Sequence, residues 1–300
     1  MSAPARVLSA PAASRSHFCL RIPGRSPLEL GRRTLIMGIV NVTPDSFSDG
    51  RPSFTADGAI EHGLRLAEAG ADILDVGGES TRPGARPVPA DEECRRILPV
   101  IESLASRSNL PVSIDTTKAG VGRAALEAGA SLLNDVSMLR NSSRMAVLAA
   151  ERGVPLILMH SRGTPGTMAS LTRYPEGILE GMARELGSSL RRARAGGVHE
   201  DQLLIDPGLG FAKTTGQCIE ILARLPRLAA LGRPLVVGAS RKSFIGRTVH
   251  RDVGRLREGT LAAEAAAVLA GCHIIRTHDV AACRPAVDLM DALLRVRGTS

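Results

Sequence analysis

Residues 38–50 read Gly-Ile-Val-Asn-Val-Thr-Pro-Asp-Ser-Phe-Ser-Asp-Gly, and this stretch decides the fold of the chain. An apolar run at 35–40 comes directly before Asn41, and a polar loop rich in acids and hydroxyls follows. This layout is typical of a barrel strand that ends in an active-site loop. Asn41 would lie at the carboxyl end of the strand, where its carbonyl oxygen could face a hard cation. The same arrangement recurs along the rest of the chain.

Short apolar runs alternate with helical patterns from residue 35 onward. The runs are rich in Ile, Val and Leu and lack period-2 alternation, as expected of parallel strands covered on both faces. They lie at 35–40, 72–77, 111–115, 131–134, 154–159, 202–206, 234–238 and 273–277. Helical patterns lie at 55–70, 90–107, 117–129, 142–152, 175–196, 214–225, 258–271 and 280–296. This α/β pattern of eight strand–helix units predicts a TIM (β/α)8 barrel. A doubly wound sheet is the rival, but it more often carries about five or six strands.

The segment before the barrel predicts a short β-hairpin. Residues 17–22 alternate weakly, 23–26 contain the turn-forming Pro-Gly pair, and 27–30 form the returning strand. We expect this hairpin to close the bottom of the barrel. Residues 1–15 hold Arg, Ser, Ala and Pro but no acid, and we interpret them as a disordered extension rather than a transit peptide. A single domain then covers 16–300.

The composition excludes several classes of protein. The chain has 300 residues and a net charge of +8, but one Tyr, five Phe and no Trp, whereas nucleic-acid proteins usually concentrate basic and stacking residues. No apolar run of about 18 residues predicts a membrane span. The five scattered cysteines contain no Cys-x-x-Cys pair, which favours reduced thiols in a cytoplasmic protein. We therefore expect small-molecule substrates, with neither nucleic acid nor membrane as a partner.

Polar residues follow every predicted strand at its carboxyl end. They are Asn41 with Asp45 and Asp49; Glu79, Ser80, Thr81 and Arg82; Asp115; Asn134 and Asp135; His160; Asp206; Ser240, Arg241 and Lys242; and Arg276 with His278. In a barrel, these ends meet at one face, where the active site lies. The sequence therefore predicts a single polar cavity.

Three of these side chains could recognise a flat heterocycle. Asp115, Asn134 and Asp206 come from different strands, and their oxygens can pair with amino and ring N–H groups. The alternative for each acid is a helix N-cap, which we accept for Asp135 and reject for Asp206. Asp206 precedes a sharp turn at 207–211, whose backbone N–H groups we expect to face a ligand.

The remaining strand ends could recognise an anion. Lys242 and Arg276 bring fixed positive charge, and a guanidinium can also stack on a ring. Asn41, Arg82 and His278 could hold a phosphate-bearing group together with Mg²⁺. We expect His160 to position its loop rather than act as a base. The cavity therefore suits a heterocycle joined to a phosphate.

At these residues the chain resembles the dihydropteroate synthase family. The resemblance spans roughly 17–297 and covers long stretches at 37–50 and 70–85, the second reading GADILDVGGESTRPGA. Shorter matches lie at 113–116, 134–137, 158–168, 206–213, 238–246 and 276–280. It implies condensation of 6-hydroxymethyl-7,8-dihydropterin diphosphate with 4-aminobenzoate, with Mg²⁺, in a homodimer that is a sulfonamide target. The products would be 7,8-dihydropteroate and diphosphate.

The resemblance also implies a role for each matched residue. The pterin ring would be held by Asp115, Asn134, Met159, Asp206, Phe211, Lys242 and Arg276. The diphosphate would meet Asn41, Arg82, Arg276 and His278, with Asn41 acting through the metal ion. The 4-aminobenzoate pocket and its loops would include Phe47, Asp49, Thr81, Arg82, Pro83 and Ser243. The catalytic set would be Asn41, Asp115, Lys242, Arg276 and His278.

The chain departs from the usual family pattern beside some of these positions. Arg51-Pro52 stands where another Gly is expected, Ser161-Arg162 where Met-Gln is common, and Thr277 where Val is usual. One rival function is a module that presents methyltetrahydrofolate to a corrinoid protein, but such modules lack the loops at 43–50 and 79–84. The other is a non-catalytic paralogue, which the presence of Asn41 and Arg82 disfavours.

Overall fold

Eight parallel strands form the centre of the protein in this computed structural model, which describes residues 15–43, 55–82, 84–251 and 256–298. The strands are β3 (Leu35–Asn41), β4 (Ile73–Gly77), β5 (Val112–Asp115), β6 (Leu132–Asp135), β7 (Leu156–Met159), β8 (Leu203–Asp206), β9 (Val236–Val237) and β10 (Ile274–Thr277). They are hydrogen-bonded in the order β8-β7-β6-β5-β4-β3-β10-β9. A parallel bridge between Ile205 and Leu235 joins the two ends of the sheet. The predicted TIM barrel is confirmed.

Helices follow the strands and cover the outside of the barrel. They are α1 (Ala56–Glu68), α2 (Ala90–Arg107), α3 (Ala119–Glu127), α4 (Arg144–Arg152), α5 (Ile178–Ala195), α6 (Thr215–Ala223), α7 (Ser243–Val249), α8 (Arg257–Leu269) and α9 (Val280–Gly298). Eight of them match predicted helices, but α7 was not predicted. Local signals set some boundaries: Thr214 and Gln217 form a capping box at the start of α6, and left-handed Gly153 ends α4.

The predicted N-terminal hairpin closes the bottom of the barrel. β1 (Phe18–Leu20) and β2 (Leu28–Leu30) pair antiparallel. Leu20 and Leu30 are fully buried against the first layer of the barrel interior. That layer consists of Leu35, Met37, Ile73, Leu132, Ile157, Leu204, Val236 and Ile274.

On several of these strands the side chain two positions further along is polar and points to the same interior. Ile73 is followed by Asp75, Leu132 by Asn134, and Leu204 by Asp206. Because residues i and i+2 of a strand share a face, the apolar layer supports the polar layer above it. The strand pattern thereby places the polar cavity at the carboxyl end of the barrel.

The predicted extension at 1–15 lies outside the described residues except for Arg15. The Arg15 Nη2 atom donates to Asp291 Oδ1 on α9 at 3.0 Å, and both side chains are nearly inaccessible to solvent. Within the described part of the chain, no helix combines the length and hydropathy needed to cross a membrane.

Candidate active site

A single guanidinium group joins two acids inside the barrel. Arg276, on β10, donates from Nε to Asp75 Oδ2 at 2.7 Å and from Nη2 to Asp115 Oδ2 at 2.8 Å. Asn134 Nδ2 donates to the same Asp75 oxygen at 3.1 Å. Four strands thus contribute to one hydrogen-bonded group at the floor of the cavity.

Burial and the neighbouring charges together determine whether Asp115 and Arg276 are ionised. Burial raises the pKa of Asp115, and the neighbouring Arg276 opposes this shift. For Arg276, burial favours the neutral form, but the two carboxylates outweigh it and raise the pKa of the guanidinium. Arg276 therefore remains a cation in the cavity.

Asp206 lies at the end of β8 and begins the turn at 207–211. Its Oδ1 atom accepts a hydrogen bond from Gly208 N at 2.6 Å, while burial raises its pKa to about 6. Phe211 N donates to Gly208 O at 3.1 Å, and Gly210 N donates to Cys218 Sγ at 3.2 Å. The expectation that this turn's N–H groups face a ligand is therefore wrong for these three residues, because two of them bind within the turn and Gly210 binds α6.

Lys242 and Phe211 form one wall of the cavity. The Lys242 ammonium lies 4.2 Å from the centroid of the Phe211 ring, a cation–π contact. Burial lowers the pKa of Lys242 to about 8, and the nearby Arg276 acts in the same direction. Phe211 packs in a small apolar cluster with Met159 and Met168. This wall offers both an apolar face and a positive charge.

His278 contacts Ser240 and lies within the electrostatic influence of several cations. Its Nδ1 atom lies 3.0 Å from Ser240 Oγ, and its backbone N donates to the same hydroxyl at 3.2 Å. Burial lowers the pKa of His278 well below its usual value, and four neighbouring cations add to the effect. They are Arg241, Arg276, Lys242 and Arg82. A neutral imidazole among four cations is a place for a multiply charged anion.

The loop after β4 carries Thr81 and Arg82 toward the same face. Ala85 N donates to Arg82 O at 3.0 Å and forms a turn, and Gly84 N donates to Pro165 O at 3.0 Å. Ser243 is exposed at the start of α7, next to Lys242. Three predicted site residues, Phe47, Asp49 and Pro83, lie outside the described residues, as do Asp45 and Arg51-Pro52.

Asn41 ends β3 at the height of Gly77 and is half-buried. Among the described residues, no group of three or more His, Cys, Asp or Glu side chains could hold a metal ion. Mg²⁺ commonly keeps several waters and binds one or two protein oxygens together with substrate phosphates. Asn41, the residue expected to bind Mg²⁺, would therefore do so together with substrate phosphates rather than as part of a cluster of acidic side chains in the described residues.

His160, a predicted strand-end residue, and Arg162, a departure from the family pattern, both have structural partners. His160 is fully buried, with Nε2 3.1 Å from Glu185 Oε2 and Nδ1 2.8 Å from Lys213 Nζ. Arg162, one of the family departures, also binds Glu185 and lies 3.7 Å from the Tyr174 ring centroid. Burial lowers the pKa of His160 to about 3, so the neutral ring can accept from Lys213 and donate to Glu185. This arrangement holds the loops after β7 and β8 together.

Comparison with known proteins shows which protein family this chain resembles. Residues 37–278 match the family model described as pterin binding enzyme. The dihydropteroate synthase of Synechocystis sp. is 44% identical over 273 residues, which cover 91% of this chain and 94% of the relative.

The chain belongs to the dihydropteroate synthase family.

Solved structures of dihydropteroate synthases agree with this assignment. The Xanthomonas albilineans enzyme with 4-aminobenzoic acid has a TM-score of 0.84 and 42% identity, covering 93% of this chain and 98% of that one. The same enzyme with 7,8-dihydropteroate has a TM-score of 0.81, 41% identity, and coverage of 92% and 98%. The Yersinia pestis enzyme in a sulfonamide drug complex has a TM-score of 0.86 and 38% identity, covering 92% and 99%. These findings favour a dihydropteroate synthase over the corrinoid-linked module.

The sequence interpretation missed Asp75. This residue is fully buried in β4 and binds both Arg276 and Asn134, so it belongs to the polar floor of the cavity. The available signal was an acid inside an otherwise apolar strand, Ile-Leu-Asp-Val-Gly. Asp135 has a structural role, but the expectation of a helix N-cap is wrong: its Oδ1 and Oδ2 accept from Ser137 N and Leu139 N, both at 2.7 Å, in the turn after β6, whereas α4 begins at Arg144 after Ser143.

Proposed function

We propose that this chain condenses 6-hydroxymethyl-7,8-dihydropterin diphosphate with 4-aminobenzoate to give 7,8-dihydropteroate and diphosphate in folate biosynthesis. The observation that carries the proposal is the division of one cavity into two parts. Acid and amide groups from β5, β6 and β8 lie at its floor, while His278 at its edge lies within the electrostatic influence of four cations. A flat heterocycle joined to a diphosphate matches both parts.

The pterin ring is assigned to the floor of the cavity. We assign Asp115 Oδ1 and Asp206 Oδ2 to its N–H groups, because the other oxygen of each carboxylate accepts from Arg276 or Gly208. Asn134 extends this polar surface. The apolar face of the ring would lie against Met159 and Phe211, with Lys242 and Arg276 supplying charge.

The diphosphate and the 4-aminobenzoate are assigned to the edge of the cavity, its rim. The diphosphate would lie between Arg82, Arg276 and His278. The 4-aminobenzoate would occupy the side formed by Thr81, Arg82 and Ser243, together with Phe47, Asp49 and Pro83, which lie outside the described residues. The X. albilineans complex with 4-aminobenzoic acid supports a binding place for this acid in the family.

The reaction proceeds by a dissociative displacement in this proposal. The bond between the exocyclic methylene carbon and the diphosphate oxygen breaks, and the diphosphate leaves with the electron pair. The electron-rich pterin spreads the resulting positive charge, while Asp115 stabilises it and the Arg82–Arg276 side stabilises the leaving anion. The 4-aminobenzoate amine then forms the new C–N bond and loses a proton to solvent. Because the amine attacks a cation, no strong general base is required.

Mg²⁺ is proposed as the metal of this reaction, and Asn41 would hold it. Its chemistry would be to neutralise charge on the diphosphate. Asn41→Ala should lower the rate and raise the Mg²⁺ concentration that gives half-maximal activity. Asn141→Ala, a control on the surface near Thr117, should leave both values unchanged. If the Mg²⁺ dependence of Asn41→Ala equals that of the wild-type protein, the assignment of Mg²⁺ to Asn41 is wrong.

A cytoplasmic homodimer is the proposed state of the protein. All five cysteines lie in the described part and none forms a disulfide, in keeping with a reducing compartment. Leu289, Leu293 and Val296 are 59%, 43% and 69% exposed and, at spacings of four and three residues, form one apolar stripe on α9. We propose that a second copy covers this stripe.

Light scattering tests the dimer. Leu293→Glu should shift the mass toward the monomer, whereas Val147→Glu, at an exposed apolar position on α4, should not. A wild-type monomer at high protein concentration would contradict the proposal.

Product analysis tests the reaction itself. Purified protein is mixed with the pterin diphosphate, 4-aminobenzoate and Mg²⁺, and the products are separated and identified by mass. We expect 7,8-dihydropteroate and diphosphate in equal amounts. If the protein binds the pterin but no dihydropteroate forms, the protein is a non-catalytic paralogue and not an enzyme.

A further inference from the structure

The loop that carries Thr81 and Arg82 is closed at its base by one carboxylate. Glu79 Oε1 accepts from Val88 N at 2.8 Å, so the first and last parts of the loop are joined. Glu79 Oε2 accepts from Lys118 Nζ at 2.6 Å. The shape of the loop therefore depends on where Lys118 holds the Glu79 carboxylate.

Lys118 is itself fixed by a second acid. Its ammonium donates to Glu93 Oε2 at 2.6 Å, and Glu93 is fully buried on α2. The other oxygen of Glu93 is buried without a hydrogen-bond partner, so Lys118 is its stabilising contact. Burial alone would lower the pKa of Lys118, but the hydrogen bonds that its ammonium donates to Glu79 and Glu93 outweigh this effect and raise that pKa.

The start of the loop is also packed tightly against α2. A Cβ atom at Gly78 would lie 2.7 Å from Ile97 Cγ2 and 3.0 Å from Glu93 Cγ. Arg96 Nη1 donates to Gly78 O at 3.1 Å. These contacts fix the position at which the loop leaves β4. The conformation of the loop beyond that position then depends on Glu79.

We propose that Lys118 is a positioning residue, which holds the loop at 79–89 in the shape that binds 4-aminobenzoate and its sulfonamide mimics. The inference rests on the proposed function, because it assigns 4-aminobenzoate to Thr81 and Arg82. Lys118 acts through Glu79, since its ammonium is bound by two carboxylates. It also lies three residues after Asp115, so the strand that faces the pterin leads directly into the support of the second pocket.

Steady-state kinetics with each substrate varied in turn tests this role. Lys118→Met should raise the KM for 4-aminobenzoate, and the Ki of a sulfonamide, by about tenfold, while the KM for the pterin diphosphate stays within about twofold. Lys118→Arg should restore most of the 4-aminobenzoate affinity, because a guanidinium can bridge two carboxylates. Equal changes in both KM values, or none, would overturn the positioning role.

Two controls separate positioning from stability. Lys118→Met alone leaves the buried Glu93 charge unpaired, so Lys118→Met/Glu93→Met removes both charges and keeps the fold testable. This double variant should show the same selective rise in KM. Arg123→Met breaks an ion pair with Glu151 elsewhere on α3 and should change neither KM. If the wild-type protein forms no dihydropteroate, the proposed function has failed, which the product analysis shows before any variant is made.

Discussion

The Nε atom of Arg276 donates to Asp75 Oδ2 at 2.7 Å, although Asp75 lies within a strand whose other side chains are apolar or absent. Asp75 is fully buried, and its Oδ1 atom has no hydrogen-bond partner. Such an acid is stable only beside a compensating cation. The pair fixes the direction of the guanidinium, and Arg276 then reaches Asp115 at the floor of the cavity.

Asp75→Asn should weaken pterin binding by about tenfold, because Arg276 loses one of its two carboxylates and its orientation. Titration calorimetry with a pterin analogue measures the change. Asp288→Asn is the matched control, since Asp288 pairs with Arg284 on the surface at 3.4 Å and should not affect the pterin. Wild-type affinity in Asp75→Asn would show that the orientation of Arg276 does not depend on this pair.

The pH profile of kcat/KM for the pterin diphosphate should be bell-shaped. Burial raises the pKa of Asp206 to about 6, so the carboxylate is protonated, and weaker as an acceptor, as the pH falls below that value. Burial lowers the pKa of Lys242 to about 8, so the cation is lost as the pH rises above it. Activity should therefore fall on either side of this window. Asp206→Asn should alter the acid limb and Lys242→Met the alkaline limb; a profile unchanged in both variants contradicts the assignment.

Gly208→Ala should destabilise the protein more than Gly232→Ala. Both glycines have left-handed φ angles, 60° and 64°, which cost an alanine about 1 kcal/mol. A Cβ at Gly208 would also lie 2.0 Å from His160 O, whereas nothing lies within 4 Å at Gly232. Urea unfolding should show that the free energy of unfolding falls by roughly 1 kcal/mol in Gly232→Ala and by at least about 2–3 kcal/mol in Gly208→Ala. Equal losses of stability in the two variants would mean that the turn after β8 rearranges to accept the added Cβ atom at no further energetic cost.

Sulfonamides should compete with 4-aminobenzoate and not with the pterin diphosphate. The reason is that the two substrates are assigned to different parts of the cavity, the rim at Thr81 and Ser243 and the floor at Asp206. The Y. pestis sulfonamide complex motivates the experiment. Inhibition kinetics with each substrate varied in turn measure the pattern. Competition against the pterin diphosphate would contradict the two-pocket arrangement.

The sequence by itself determined the barrel and the place of its active site. Eight short apolar runs become parallel strands because strands covered on both faces need apolar side chains on both. The polar residue after each run then lies at the carboxyl end of its strand, as Asn41 and Asp206 do. These features follow from local pattern and from strand geometry, and they need no knowledge of distant partners.

The tertiary structure alone decided which of these residues are joined. Asp75 and Arg276 are 201 positions apart and meet because β10 lies beside β3, which in turn lies beside β4. Helix α7 was also beyond the sequence pattern, since it is short and depends on burying Phe244 and Ile245. The N–H groups of the 207–211 turn were predicted to face a ligand, but those of Gly208, Gly210 and Phe211 donate to Asp206, Cys218 and Gly208 instead. Hydrogen-bond partners and ion pairs are chosen by distances across the closed barrel, and no periodicity along the chain encodes those distances.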